Sequence, residues 1–217
     1  GFASANQEPT EIPSRFRYSY EVSSHLNEQG KNTFTQYIFD VKLLGKDSKT
    51  YRFEAFLNKS IYVYNEDRRD EYYETGYPVI TNSVNPFLLN FLENKRICFS
   101  FISDKFVLHN LDSLRTSLVK QLDLMGNQLS KDKKDKLIKE FNEKYFRKIF
   151  SPLHIKLPDD IVNPDDYSME GKTVFHYLRS YKNSMCIEIT KIQEHEDWLS
   201  FIDKRSGLSY FTQANFM

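Results

Sequence analysis

Three successive runs near the start of the chain alternate apolar and polar side chains with a period of two, and that pattern confines them to half-buried strands. In the first, Phe16, Tyr18, Tyr20 and Val22 alternate with Arg15, Arg17, Ser19 and Glu21. In the second, Thr33, Thr35, Tyr37, Phe39, Val41 and Leu43 form one row, and in the third Tyr51, Phe53, Ala55 and Leu57 do the same. The turn segments between them, residues 27–30 and 45–48, are short, so consecutive strands run antiparallel as a meander. A fourth strand is expected over 61–64, leading into a charged tip at 65–71.

Helical signals interrupt the strands further on. Asn85-Pro86 before an apolar stretch reads as the start of a short helix, because Asn caps well and Pro is tolerated in the first turn. Strands are expected at 97–102 and 106–109. Asp112 then opens a helix carrying Leu114, Leu118, Leu122 and Met125 at helical spacing. Ser130 opens another, with Leu137, Phe141, Tyr145 and Ile149 on one stripe, until Ser151-Pro152 stops it. The segment 112–150 thus forms a helical hairpin inserted between strands. After an Asp- and Pro-containing loop over 157–170, strands resume at 172–181, 184–192, 197–203 and 208–212. The expectation is an α+β fold: one large curved antiparallel sheet, shaped like a half-barrel, with the hairpin packed on one face. Residues 1–14 read as a flexible leader and 15–217 as a single domain.

Composition narrows the function classes. Thirty basic and thirty acidic residues cancel, so no net field draws nucleic acid or an anionic membrane. Eighteen Phe and fourteen Tyr against seven Gly and seven Pro favour pleated strands. No apolar run reaches the roughly 18 residues that a membrane helix needs. Residues 2–6, Phe-Ala-Ser-Ala-Asn, carry an Ala-x-Ala pattern like the tail of a secretory signal, with cleavage expected after Ala5.

Motifs for chemistry are sparse. The five histidines are scattered, with no His-x-His or His-Glu-x-x-His, and neither a metal nor another cofactor is expected. The acidic loop at 159–170 lacks the EF-hand spacing. There is no Gly-x-Ser-x-Gly elbow, P-loop or dinucleotide fingerprint, so no catalytic residue is assigned. The two cysteines, Cys98 and Cys186, fall on the more polar rows of their strands, which leaves a disulfide, separate inert thiols and a reactive role open; no Cys-x-x-Cys supports redox chemistry. Several strands carry apolar groups on both faces: Phe34, Ile38, Phe56, Trp198 and Ile202 stand on rows opposite other apolar residues. Either a concave aromatic face or a protein contact accounts for the second apolar face.

The order of parts also carries a resemblance. The N-terminal meander, a strand pair ending in Asn110-Leu-Asp-Ser-Leu114, a helical hairpin closing with Phe146-Arg-Lys-Ile-Phe150-Ser-Pro-Leu153, a loop with Leu157-Pro158, and late strands ending in Ile202-Asp-Lys-Arg-Ser-Gly207-Leu together resemble a group of secreted proteins and lipoproteins of Bacteroidetes. The resemblance implies a secreted, periplasmic or outer-membrane-anchored location. It also implies a curved sheet crossed by helices, similar to the lipoprotein carriers LolA and LolB, which hold acyl chains between sheet and helices; the heavy Tyr content sets this chain apart from that pattern. The leading expectation is a non-enzymatic cell-envelope protein binding an apolar or amphipathic ligand on its concave face, with Tyr18, Tyr20, Tyr37, Phe39, Phe53 and Trp198 as lining. The alternatives are an interaction module or homodimer using the second apolar face, and third a hydrolase.

Overall fold

The first alternating run forms β1 (Arg15–Leu26) and the second β2 (Lys31–Lys46), paired antiparallel with Tyr18 opposite Phe39 and Tyr20 opposite Tyr37. This computed structural model describes residues 13–26, 31–66, 69–75 and 84–216. The leader and its Ala-x-Ala pattern, apart from Pro13 and Ser14, lie outside the described residues.

The third and fourth expected strands are one element, β3 (Thr50–Glu66). Phe39 pairs with Leu57 but Ile38 pairs with Lys59, so Asn58 is an extra residue. The bulge flips the alternation: Phe53, Ala55 and Leu57 point to the core before it, Ser60 and Tyr62 after it. That reversal is why the run reads as two strands. On its far edge β3 forks, its first half pairing with β5 (Arg96–Ile102) and its second with β4 (Arg69–Glu74), a strand the sequence does not announce. β6 (Lys105–Leu108) returns alongside β5.

The C-terminal strands are β7 (Tyr167–Glu170), β8 (Thr173–Tyr181), β9 (Ser184–Lys191), β10 (Glu196–Asp203) and β11 (Ser209–Phe216). β7 falls in the stretch expected to be loop. All join one open sheet in the order β6-β5-β3-β2-β1-β11-β10-β9-β8-β7, with β4 on the second half of β3. The expected wholly antiparallel sheet is corrected at one seam: β1 and β11 run parallel, with Tyr20 beside Thr212, while the other pairings between described strands are antiparallel and an isolated bridge from Leu57 to Glu93 is parallel. This seam joins a mainly N-terminal half-sheet to a C-terminal one.

Among the described residues four helices pack with the sheet: α1 (Val84–Leu92), α2 (Leu111–Met125), α3 (Lys131–Glu140) and α4 (Glu143–Phe150), followed by a 3₁₀ turn at Ser151–Leu153. The single helix expected from Ser130 to Ile149 is broken in two. Ser130 caps α3 as expected, but Phe141 leaves helical geometry (φ −84°, ψ 79°), and the Asn142 side chain accepts a hydrogen bond from Tyr145 N at 3.2 Å to start α4. The break lets α4 turn a new stripe inward. Phe146, Ile149 and Phe150 are buried, while Tyr145, on the stripe expected from sequence, is only half-buried.

Phe150 fixes α4 to the sheet. Its ring centroid lies 4.7 Å from that of Phe39, 4.6 Å from Phe99 and 6.4 Å from Phe106, joining β2, β5 and β6 under one side chain. Burying such a ring contributes about 1.5–3 kcal/mol. The helix-facing rows are Tyr18 and Tyr20, Tyr37 to Val41, Phe53 to Leu57, and Ile97, Phe99 and Phe101. Trp198 and Ile202 also point to this side, and Leu199 and Phe201 take the outward row of β10 opposite them. Phe34, Ile38 and Phe56 do lie outward, the first two half-buried and the last 39% exposed.

Candidate functional site

The six residues expected to line a ligand site are brought together on one face, but five of them are sealed. Tyr20 neighbours Tyr37 (6.0 Å between ring centroids) and Trp198 (6.1 Å), and Tyr37 stacks on Phe39 at 5.9 Å. Phe53 stacks on Phe99 at 5.5 Å. α4 covers this row: Tyr18 Oη donates to the Ile149 carbonyl at 2.7 Å, and the Tyr37 and Tyr145 hydroxyls lie 3.2 Å apart. Burial raises the phenol of Tyr37 to about 12 and pushes those of Tyr18, Tyr20 and Tyr145 well above the ordinary phenol value, so all are neutral hydroxyls at ordinary pH.

Trp198 alone lines an opening. Past the end of α4 the 3₁₀ turn lies against β11, and the chain then leaves part of the C-terminal half-sheet uncovered. Here Phe175, Ile189 and Trp198 stand side by side across β8, β9 and β10, because their backbones pair directly. With Pro152 and Ile155 from the departing chain they form a groove of about 290 Å³. The end of the groove is polar. Lys191 Nζ lies 5.0 Å from the Trp198 ring centroid and 3.9 Å from Glu196 Oε2, and the same Glu196 oxygen accepts a hydrogen bond from Trp198 Nε1 at 3.0 Å. The indole is thereby fixed by its nitrogen with one face toward a cation. The arrangement suits a ligand with an apolar body and a polar head, and its size is at the lower end of the roughly 300–1,000 Å³ of small-molecule sites.

The cysteines are free, which corrects the disulfide left open by the sequence. Cys98 is on β5 and Cys186 on β9, and β3, β2, β1, β11 and β10 lie between them. Six inter-strand steps of about 4.8 Å separate the strands, far beyond disulfide reach. Burial raises both thiols, and the neighbouring Arg96 and Arg179 only partly offset it, so neither is primed as a nucleophile.

One pairing of catalytic type escapes sequence reading: Ser100 Oγ and His109 Nε2 are 2.6 Å apart, nine positions from each other in the chain. Ser100 is 1% exposed, however, and no described carboxylate hydrogen-bonds His109, so the pair lacks both an approach for substrate and an orienting acid. Asp166 is a turn residue. Its carboxylate accepts from the backbone N–H groups of Asn163 and Val162, which hold it below the usual carboxylate range. No cluster of three or more metal-ligating side chains occurs among the described residues, and none of their helices is long and apolar enough to cross a membrane.

The chain matches no known protein-family model, no curated protein and no solved structure.

Proposed function

We propose that this chain is a non-enzymatic, secreted protein of the cell envelope that binds an amphipathic small molecule on the helix-bearing face of its sheet. The Trp198 groove carries the reading: an apolar floor of Phe175, Ile189 and Trp198 with a charged end at Lys191 and Glu196. An acyl or other apolar body covers the floor, and a polar or anionic head meets Lys191. The envelope location rests on the small-residue pattern of residues 2–6 and on the resemblance to secreted Bacteroidetes proteins. A ligand too large for the groove reaches the remaining aromatic row only by lifting α4, whose polar ties there are the Tyr18 and Tyr145 hydroxyl contacts.

A second reading has its own observation. The outward face carries half-buried Phe34, Ile38, Leu199, Phe201 and Phe211 with exposed Phe56, and a protein partner or a second copy accounts for such a surface. Native mass spectrometry of protein exported by its own leader separates the two. A monomer with a discrete lipid-sized adduct supports the ligand site, whereas an adduct-free dimer moves the function to the outward face.

A further inference from the structure

On the opposite face from the Trp198 groove, two β-bulges do the same thing to two side chains. In β8 the pairing with β9 slips between Tyr177 and Arg179, so Leu178 is the extra residue. In unbroken alternation Arg179 would follow Phe175 and Tyr177 toward the helices; instead it stands opposite Cys186 on the outward face. In β11, Phe211 pairs with Phe201 but Ser209 pairs with Ile202, leaving Tyr210 as the extra residue. By parity it would join Thr212 and Ala214 inside. It is 41% exposed instead, with its ring 6.2 Å from that of outward Phe201 and its hydroxyl 3.2 Å from Ser184 Oγ. Bulges re-aim side chains at functional sites, and here both aim into one depression.

Two adjoining pockets of about 310 and 450 Å³ share Tyr181, Ser184 and Tyr210 and together form that depression. Its walls are the β8–β9 and β10–β11 hairpin ends, which are tied together: Lys204 N donates to the Asn183 carbonyl at 2.7 Å and Lys204 Nζ bonds Ser180 Oγ. The site is therefore preformed. Its charge is one-sided. Asp203 is paired with Arg205 at 3.6 Å, Lys182 lies 5.4 Å from the Tyr181 ring centroid, and no described carboxylate pairs with Arg179. Three cations surround one acid, beside phenol rings of which Tyr181 is 69% exposed. A guanidinium with no carboxylate partner binds carboxylate, sulfonate or phosphate oxygens in a two-pronged fashion, and exposed phenol faces stack on a flat ring.

We propose that the β8–β11 hairpin groove is a second ligand site, distinct from the Trp198 groove, that takes a small anionic molecule with a flat aromatic body. The anionic group engages Arg179, and the ring lies between Tyr181 and Tyr210. Cys186 lies at its floor as a reporter.

The test uses naphthalene-2-sulfonate as probe on the whole chain. Calorimetric titration of wild type, Arg179→Gln and Tyr181→Ala is expected to show saturable one-to-one binding that weakens at least tenfold in each variant. Both replaced side chains are exposed, and circular dichroism confirms that the variants fold. In a Cys98→Ser background, alkylation of Cys186 is expected to slow when the probe is saturating. Absence of saturable binding overturns the proposal, as does binding that Arg179→Gln leaves intact or that fails to protect Cys186. Neither Arg179 nor Cys186 lines the Trp198 groove, so this result and the fate of the amphipathic site are independent.

Discussion

Tyrosine is the residue that sets this interior apart, because several of its hydroxyls are buried with specific hydrogen-bond partners. Tyr18 reaches the Ile149 carbonyl and Tyr37 meets Tyr145, so the sheet and α4 are joined by polar ties inside an aromatic layer. Tyr18→Phe keeps the ring and removes the donor; it is expected to lower stability by about 1 kcal/mol. Phe150→Ala, which empties the space among Phe39, Phe99 and Phe106, is expected to lower it by about 3–5 kcal/mol in denaturant titrations. The buried phenols also make stability depend on alkaline pH. Their folded values lie above the unfolded value near 10, with Tyr37 at about 12, so the unfolded chain sheds these protons first. Stability is therefore fully present below about pH 10 and is lost as pH rises from there toward the folded values. Phenolate absorbance from these residues should appear together with loss of near-ultraviolet circular dichroism; titration of all fourteen tyrosines near pH 10 with the fold intact contradicts the assignment.

At the scale of elements, bulges and helix breaks decide what the sequence could disclose. Alternation alone locates β1, β2 and the late strands, and Leu114, Leu118 and Leu122 are the buried stripe of α2 as their spacing requires. Asn58 is where legibility stops in β3: one inserted residue reverses the faces and splits one strand into two apparent ones. Leu178 and Tyr210 hide the hairpin groove in the same way, since parity places Arg179 and Tyr210 inside. The Phe141–Asn142 break has a local signal, an Asn three residues before Tyr145 able to cap, yet the uninterrupted stripe from Leu137 to Ile149 masks it. Of the candidate site, Trp198 was legible as an aromatic on a strand. Its groove was not, because that depends on where the chain after α4 leaves the sheet. The bulge at Asn58 gives a direct check. Asn58→Ala, on the surface, is expected to change stability by no more than about 0.5 kcal/mol, whereas deleting the residue turns Ser60 and Tyr62 outward and should prevent folding. A folded deletion variant contradicts this account of β3.

Across the whole molecule, the parallel β1–β11 seam sets the first and last described strands side by side, with Phe216 beside Ser24, and leaves the sheet open at β6 and β7. The strand order also keeps Cys98 and Cys186 apart, so protein prepared without reductant is expected to have the mass of the reduced form and two titratable thiols after denaturation. An intramolecular disulfide contradicts the strand order itself. The sheet's faces divide the proposed functions, with an amphipathic groove beside the helices and an anion-binding groove on the outward side. Trp198 is the only tryptophan in the chain and forms the floor of the first groove, so intrinsic emission reports on that site alone. The decisive measurement is a titration of Trp198 emission with a single-chain fatty acid below its micellar concentration, on wild type and on Phe175→Ala. A saturable change with wild type that shifts to about tenfold higher ligand concentration in Phe175→Ala is the predicted result, corresponding to about 1.4 kcal/mol of binding free energy. An emission spectrum that stays unchanged through saturating ligand contradicts the proposed site.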